Sequence, residues 1–218
     1  ILLLFISSLK LWKKNKNLTI VSTLVILAMG FEAWLGKTVV DSNLLPYKIT
    51  IHMMGSFIII AMLLYAVYKS QENEKVNYSS KFKFILLGSI LLTFIQVFLG
   101  TQVRQFVDEQ VISIGYEKHL WLNNPNIQFY IHRTLSIAVV LINTWLFFLN
   151  KKETVQSPIM KYILIVLGTE IITGILMYYF DFPFTTQPLH LVLSAVLFGL
   201  QFYLILKTTT RKQKKLGV

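Results

Sequence analysis

The chain contains no cysteine among its 218 residues, which excludes disulfides and thiolate metal sites and leaves the compartment undetermined by this criterion. Charged residues are also scarce, at 14%, and only 10 of them are acidic. Hydrophobic residues make up 55% of the chain, and the mean hydropathy is +0.61. This composition is too apolar for an ordinary soluble domain and predicts a membrane protein.

Long apolar segments recur along the chain at about 20 residues, the length that a helix needs to cross the hydrocarbon core of a bilayer. The six segments are Leu18–Gly36, Ile49–Tyr68, Phe84–Val103, Ile127–Leu149, Tyr162–Phe180 and Leu189–Leu206. The opening stretch ILLLFISSL carries neither an initiating Met nor the charged flank of a signal peptide. We interpret it as the tail of a further helix, and the sequence as a fragment of a longer protein.

The formal net charge of +11 raises the question of nucleic-acid binding, but the basic residues do not form one patch. Most of the 21 Lys and Arg fall in alternate connections between the apolar segments and in the C-terminal tail. The positive-inside rule therefore predicts that the C-terminus is cytoplasmic and that a long loop, Gln105–Asn126, lies on the outer side. We expect this chain to contact lipid and no nucleic acid.

The sequence matches itself at an offset of 138 residues. The matching pairs are Gly30 with Gly168, Glu32 with Glu170, Gly36 with Gly174, His52 with His190, Ser56 with Ser194 and Tyr65 with Tyr203. The offset covers an even number of helices, so the two units share one orientation, as in a parallel repeat. We therefore predict an all-α polytopic membrane protein of two four-helix bundles, the first incomplete (residues 1–80) and the second complete (residues 81–218). By the same offset, the counterpart of His132 would precede Ile1.

Three histidines, His52, His132 and His190, lie within about five residues of the outer ends of their predicted spans. Each has a serine four residues later, on the same helix face. A small residue there leaves room for a flat macrocycle, so we predict that these histidines bind haem iron. Zn²⁺ fits less well because no Cys and no nearby Asp or Glu completes a ligand set. An imidazole bonded to a neighbouring helix or to headgroups is the alternative for each, and His119 lacks both the serine and the helix.

Two arginines lie close to this layer of histidines. Gln96, Gly100 and Arg104 recur every four residues, so one helix stripe ends in a guanidinium at the outer surface. Arg104 suits either a haem propionate or lipid headgroups. Arg133 follows His132 and points about 100° away from it, toward a propionate or the loop.

Two glutamates, Glu32 and Glu170, are repeat mates that lie inside predicted spans, and each is followed by a glycine four residues later. Ionisable groups inside a bilayer are costly and usually face the interior of a helix bundle. These carboxylates can relay protons, hydrogen-bond an imidazole or form contacts between helices, and the sequence leaves the three interpretations open.

Four stretches follow one another along nearly the whole chain: EAWLGKTVVDSNLLPYKITIHM, LGTQVRQFVDEQ, FYIHRTLS and LGTEIITGILMYYFDFPFTTQPLHLVLS. Together they resemble the haem A synthase family, membrane enzymes that convert haem O to haem A. The resemblance implies two four-helix bundles, each with a histidine pair near the outer surface. It implies that His132 and His190 hold a haem b. It also implies that His52 is the second histidine of the N-terminal pair, in the bundle that receives and oxidises haem O.

Under this resemblance the reaction converts one methyl group of haem O to the formyl group of haem A. His52 is then a catalytic residue as well as an iron ligand, and Arg104 and Arg133 contact the cofactor. Haem b in the second bundle carries electrons while the first bundle performs the oxidation. The implied setting is the cytoplasmic membrane, with haem O synthase as supplier of the substrate and an unidentified electron donor. A homo-oligomer is compatible with the sequence.

Two other functions share part of this pattern. A non-catalytic di-haem cytochrome that passes electrons would need the same histidines. A transporter would account for the repeat, but its broken helices are missing, because no predicted span is interrupted by proline. The haem content of the purified protein distinguishes the three.

Overall fold

The fold is known from a computed structural model that describes residues 2–10, 12–13, 15–42, 46–71 and 76–210. The α-helices in this part are α1 (Leu2–Leu9), α2 (Lys16–Asp41), α3 (Pro46–Ser70), α4 (Ser80–Ile114), α5 (Ile127–Asn150), α6 (Ile159–Tyr179) and α7 (Thr186–Lys207). Two short strands, β1 (Val76–Tyr78) and β2 (Thr208–Thr210), pair in parallel. The six helices α2 to α7 are each long and apolar enough to cross a membrane. This confirms the predicted all-α polytopic fold.

Three of the spanning helices begin at polar caps. The side chains of Asn15, Ser79 and Asn126 each accept a hydrogen bond from the backbone N–H three residues later, at 3.4, 3.2 and 3.1 Å. Such caps satisfy one of the N–H groups that the first turn of a helix leaves unpaired. They explain why α2, α4 and α5 start at or just before the apolar segments that predicted them.

The predicted outer loop Gln105–Asn126 is wrong in its first half, because α4 continues as far as Ile114. With 35 residues, this helix is about 52 Å long, against roughly 30 Å of hydrocarbon. The extension is polar and is stabilised by contacts between side chains four residues apart, including Arg104 with Asp108 at 2.8 Å. It ends at Gly115, whose φ of 75° favours glycine. Hydropathy could not reveal this segment since it extends beyond the membrane.

Helices α4 to α7 pack as a closed ring in which each helix contacts the next and α7 contacts α4. Their shared core consists of fully buried side chains: Phe82, Leu86, Leu146, Met160, Ile163 and Leu204. Helices α2 and α3 pack on each other, and α1 contacts the start of α2, where the Thr19 hydroxyl donates to the Ser8 carbonyl at 2.7 Å. Helix α1 therefore lies at the end of α2 remote from His52.

The two groups of helices meet where α3 packs against α7 and α4. Phe198 is at the centre of this contact, with ring centres 5.0 Å from Phe57 and 4.9 Å from Phe94. The edge-to-face geometry of both pairs is favourable for aromatic rings. An aromatic cluster, without any hydrogen bond among its members, therefore holds α3 against the ring of helices.

The α4–α5 and α6–α7 connections lie at the same end of this ring and pack on each other. The Trp121 indole donates to the Gly115 carbonyl at 3.0 Å, and its ring centre lies 5.4 Å from that of Phe182. Lys118 donates to the Phe182 carbonyl at 3.2 Å. The α4–α5 connection is therefore fastened to the α6–α7 connection at the end of the ring where His132 and His190 lie.

Deep inside the ring, three fully buried polar side chains join α4, α5 and α7. The Ser89 hydroxyl donates to Asn143 Oδ1 at 3.1 Å. The Gln201 amide donates to both, at 3.0 Å to Ser89 and 3.2 Å to Asn143. In a bilayer such groups act as contacts between helices, because lipid offers them no alternative partner.

We predict that Asn143→Leu lowers the free energy of unfolding by about 1–2 kcal/mol, since it leaves the Gln201 amide and the Ser89 hydroxyl without their shared partner. The measurement is thermal denaturation in detergent. The control is Thr169→Val, whose hydroxyl bonds the Ile165 carbonyl of its own helix. Equal losses in the two variants would contradict the prediction.

Candidate functional site

The structure brings the imidazoles of His132 on α5 and His190 on α7 together inside the closed ring, in an edge-to-face arrangement. Their ring centres are 6.5 Å apart, and their planes are inclined at 70°. At this separation the two imidazoles could hold one metal group between them.

The orientation of the His132 ring is set by α4. Its Nδ1 lies 3.2 Å from the Gln96 carbonyl, and the Gln96 side-chain amide donates back to the His132 carbonyl at 2.8 Å. A carbonyl can only accept, so Nδ1 must carry the proton. The lone pair of Nε2 is then free to bind a metal.

Two acceptors from α6 adjoin the His190 ring. Its Nδ1 lies 2.8 Å from Thr173 Oγ1 and 2.5 Å from Glu170 Oε2. The Thr173 hydroxyl donates its own proton to the main-chain carbonyl of Glu170 at 2.8 Å, which leaves its oxygen as an acceptor. Nδ1 of His190 is therefore also protonated and its Nε2 is free.

His52 of α3 has the same arrangement with α2. Its Nδ1 lies 2.6 Å from Glu32 Oε2, the repeat counterpart of the Glu170–His190 contact. Neither glutamate reaches directed hydrogen-bond geometry within the described residues, so both contacts are electrostatic. Both glutamates are nevertheless buried, at 8% and 7% exposure. Each carboxylate therefore lies close to an imidazole of the next helix, and the three interpretations of these glutamates stay open.

Each histidine ring lies against a glycine of a neighbouring helix. A Cβ added at Gly36 or Gly100 would come 3.4 Å from Cε1 of His52 or His132. At Gly174 it would come 3.8 Å from Cε1 of His190. An added Cβ would thus make ordinary van der Waals contact at all three positions, so each imidazole packs directly against the backbone of the neighbouring helix.

The three serines on the histidine faces have similar contacts. Each hydroxyl donates to the carbonyl three residues earlier in its own helix, at 2.7 Å for Ser56, 2.6 Å for Ser136 and 2.7 Å for Ser194. With its proton bound in this way, a serine presents a small surface that needs no further donor. The face beside each histidine is therefore kept free of bulk.

The remaining candidates lie around this centre. Arg104 is one turn outward from Gly100 on the same stripe of α4, and its Nε pairs with Asp108. The Arg133 guanidinium lies over the rings of Phe129 and Tyr130, at 5.8 and 5.6 Å from their centres. His119 lies exposed in a short 3₁₀ turn, where its Nδ1 is 3.7 Å from a carboxylate oxygen of Glu117.

The ligand set limits which metal group this site can hold. In the part of the chain that the structure describes, no group of three or more His, Cys, Asp and Glu is arranged to hold a metal ion. Two facing imidazoles suit a metal that brings its remaining ligands with it, as haem does. The residues present therefore fit haem.

Fold and site together define a polytopic helical membrane protein with histidines paired across a bundle. The chain belongs to the cytochrome oxidase assembly protein family, COX15-CtaA, whose model matches residues 1–202. This confirms the family resemblance found in the sequence.

Several curated relatives are named haem A synthase. That of Wolbachia pipientis wMel is 25% identical over 219 residues, which cover 88% of this chain and 61% of the relative. That of Flavobacterium johnsoniae is 24% identical, covering 88% and 64%, and that of Bacillus cereus strain AH187 is 24% identical, covering 92% and 70%. The chain thus spans about two thirds of the length of these relatives. No solved structure matches it.

Sequence reasoning missed several residues of the site. The spacing of Gln96 places it on the stripe with Gly100 and Arg104 but does not predict its contact with His132. Thr173 gave no signal, since a hydroxyl inside an apolar helix usually bonds its own backbone. Gly55 was also missed: an added Cβ there would lie 1.9 Å from Glu32 Oε1.

We predict that Gly55→Ala moves Glu32 away from His52, because the carboxylate is the mobile partner in this clash. The free energy of unfolding should fall by about 1 kcal/mol relative to Gly30→Ala. Gly30 is the matched control, since an added Cβ there meets nothing within 4 Å. Thermal denaturation in detergent measures the difference, and equal stabilities would show that the Glu32 position does not depend on Gly55.

Proposed function

We propose that this chain is the larger part of a haem A synthase, which oxidises a methyl group of haem O to the formyl group of haem A. The observation that carries the proposal is the facing pair of His132 and His190, each with Nδ1 bound by a neighbouring helix and Nε2 free. The names of the curated relatives support the same activity.

In this proposal His132 and His190 hold a haem b between α5 and α7. When bound, the haem would supply one-electron redox chemistry. The protein's part is to fix both rings: Gln96 orients His132, while Glu170 and Thr173 orient His190. This suits an electron carrier, whose ligands should move little between redox states.

We assign the substrate haem O to the site beside His52. A C–H bond of a methyl group is beyond the reach of side-chain acid–base chemistry, so the iron must take part in its oxidation. The His52 imidazole would bind and orient the substrate. Glu32 would hold the proton on Nδ1 of His52 and thereby keep Nε2 available as the ligand. His52 is for this reason the catalytic residue of the proposal.

We further propose that residues 1–80 belong to an incomplete first bundle and residues 81–218 to a complete second one. A groove of about 430 Å³ runs between α3 and α7, lined by Ile60, Leu64 and Gly199 among others. Phe198 is the repeat counterpart of Ile60, and it packs on α4 through Phe94. By the repeat, the groove is where a first-bundle equivalent of α4 would pack.

Arg104 and Arg133 are proposed as partners of haem propionates at the outer surface. Arg104 extends the stripe that already contacts His132 through Gln96 and Gly100, so a propionate would compete with Asp108 for its guanidinium. Arg133 is the less favourable partner for a propionate, because its guanidinium already lies over the rings of Phe129 and Tyr130.

The proposed setting is the cytoplasmic membrane, with the C-terminus on the cytoplasmic side and the three histidines toward the outer side. The basic tail after residue 210, on which part of this orientation depends, lies outside the described residues. Haem O synthase is the proposed supplier of substrate, and the electron donor is unidentified.

The haem content of the complete protein, purified from its membrane, tests the proposed function. We expect haem b together with haem O or haem A, identified by chromatography of the extracted pigments. Haem b alone would favour an electron-transfer cytochrome, and the absence of any haem would favour a transporter. Either result would overturn the synthase.

Two histidine variants separate the roles of the two sites. In the complete protein, His52→Ala should abolish or sharply reduce haem A formation while the bis-histidine absorption spectrum of haem b remains. His190→Ala should disturb that spectrum directly. Formation of haem A at the parental rate by His52→Ala would contradict the assignment of the oxidation to the first site.

A further inference from the structure

The two imidazoles that face each other in the second bundle differ in what lies behind them. His132 has a neutral partner at Nδ1, the main-chain carbonyl of Gln96 at 3.2 Å. His190 has a carboxylate oxygen of Glu170 at 2.5 Å in addition to the Thr173 hydroxyl at 2.8 Å. The pair is therefore chemically asymmetric, although both ligands are histidines.

The carboxyl group of Glu170 is directed at His190. Its side chain is 9% exposed and lies inside a span, where the low dielectric strengthens electrostatic interactions. Among the described residues its ion-pair partner is His190, and no Lys or Arg pairs with it. A carboxylate behind a ligating imidazole makes the ring a stronger electron donor to the metal.

We propose that Glu170 is a positioning residue that lowers the reduction potential of an iron held between His132 and His190. An electron-rich ligand stabilises the oxidised, more positive state of iron over the reduced state. The inference rests on the proposed haem b site. It adds that one carboxylate, that of Glu170, influences the reduction potential through one of the two ligands, His190.

The first site provides an internal control. Glu32 has the same distance relation to His52, at 2.6 Å, but it lies on α2, outside the ring formed by α4 to α7. A variant there removes an equally buried carboxylate from the same protein without touching either ligand of the second site. Any potential shift caused by general loosening of the fold should therefore appear in both variants.

The test is a redox titration of the complete, haem-loaded protein in detergent, followed by the α-band absorbance of the bis-histidine haem. Glu170→Gln keeps the size of the side chain and removes its charge, so the midpoint potential should shift to a more positive value. Glu32→Gln should leave that potential at the parental value. A Glu170→Gln protein with parental potential, or equal shifts in both variants, would overturn the inference.

A second variant keeps the inference testable where Glu170→Gln does not retain haem. Glu170→Asp preserves the charge but draws it back from Nδ1 by one methylene group, so we expect a smaller positive shift. An unchanged potential in Glu170→Asp would count against the tuning role. Absence of a bis-histidine haem b from the parental protein would instead refute the proposed function, and the two failures are therefore distinguishable.

Discussion

The arrangement of the site depends on one constraint: a histidine can bind a metal through Nε2 only when the proton of the neutral ring is held on Nδ1. In this protein the groups beside Nδ1 come from the neighbouring helix in each case. The Gln96 carbonyl and the Thr173 hydroxyl are the hydrogen-bond partners of His132 and His190, while the carboxylates of Glu170 and Glu32 lie close to His190 and His52. Helix packing and the tautomer of the ligands are therefore coupled. A shift of α4 against α5, or of α6 against α7, would change not only the position of a ring but also which of its nitrogens is available.

The bilayer explains why the site contains few charged side chains. Polar side chains are costly in hydrocarbon unless they find partners, and only helices satisfy the backbone there. Apart from two carboxylates, the histidines are surrounded by main-chain carbonyls, glycines, and serines whose hydroxyls bond their own helix backbone. Few charged atoms therefore enter the membrane. Glycine has a particular advantage in this setting, because it brings the backbone of one helix against an imidazole of the next. The paired rings thereby gain a rigid support without further polar atoms.

Much of the fold was predictable from the sequence because hydropathy reports directly on spanning helices, and the histidine layer followed from depth and spacing. The extension of α4 to Ile114 was not predictable in this way, since it lies in water, where side-chain pairs four residues apart and not hydropathy decide the helix end. The contacts of Glu32 and Glu170 were among the alternatives that the sequence left open. Choosing among them requires the relative rotation of two helices, which spacing along one helix does not contain. The contact of Thr173 with His190 could not be predicted for the same reason.

The two glutamate–histidine pairs differ in the residues that surround them. Thr173 in the second site corresponds by the repeat to Leu35 in the first, so His52 has one acceptor where His190 has two. Gly55, over which the Glu32 carboxylate lies, corresponds to Leu193, so the first site is also less filled on the side of its glutamate. A resident cofactor benefits from ligands that are fixed from several sides, whereas a substrate must enter and a product must leave. The additional Thr173 contact at His190 therefore suits the resident cofactor of the proposed function.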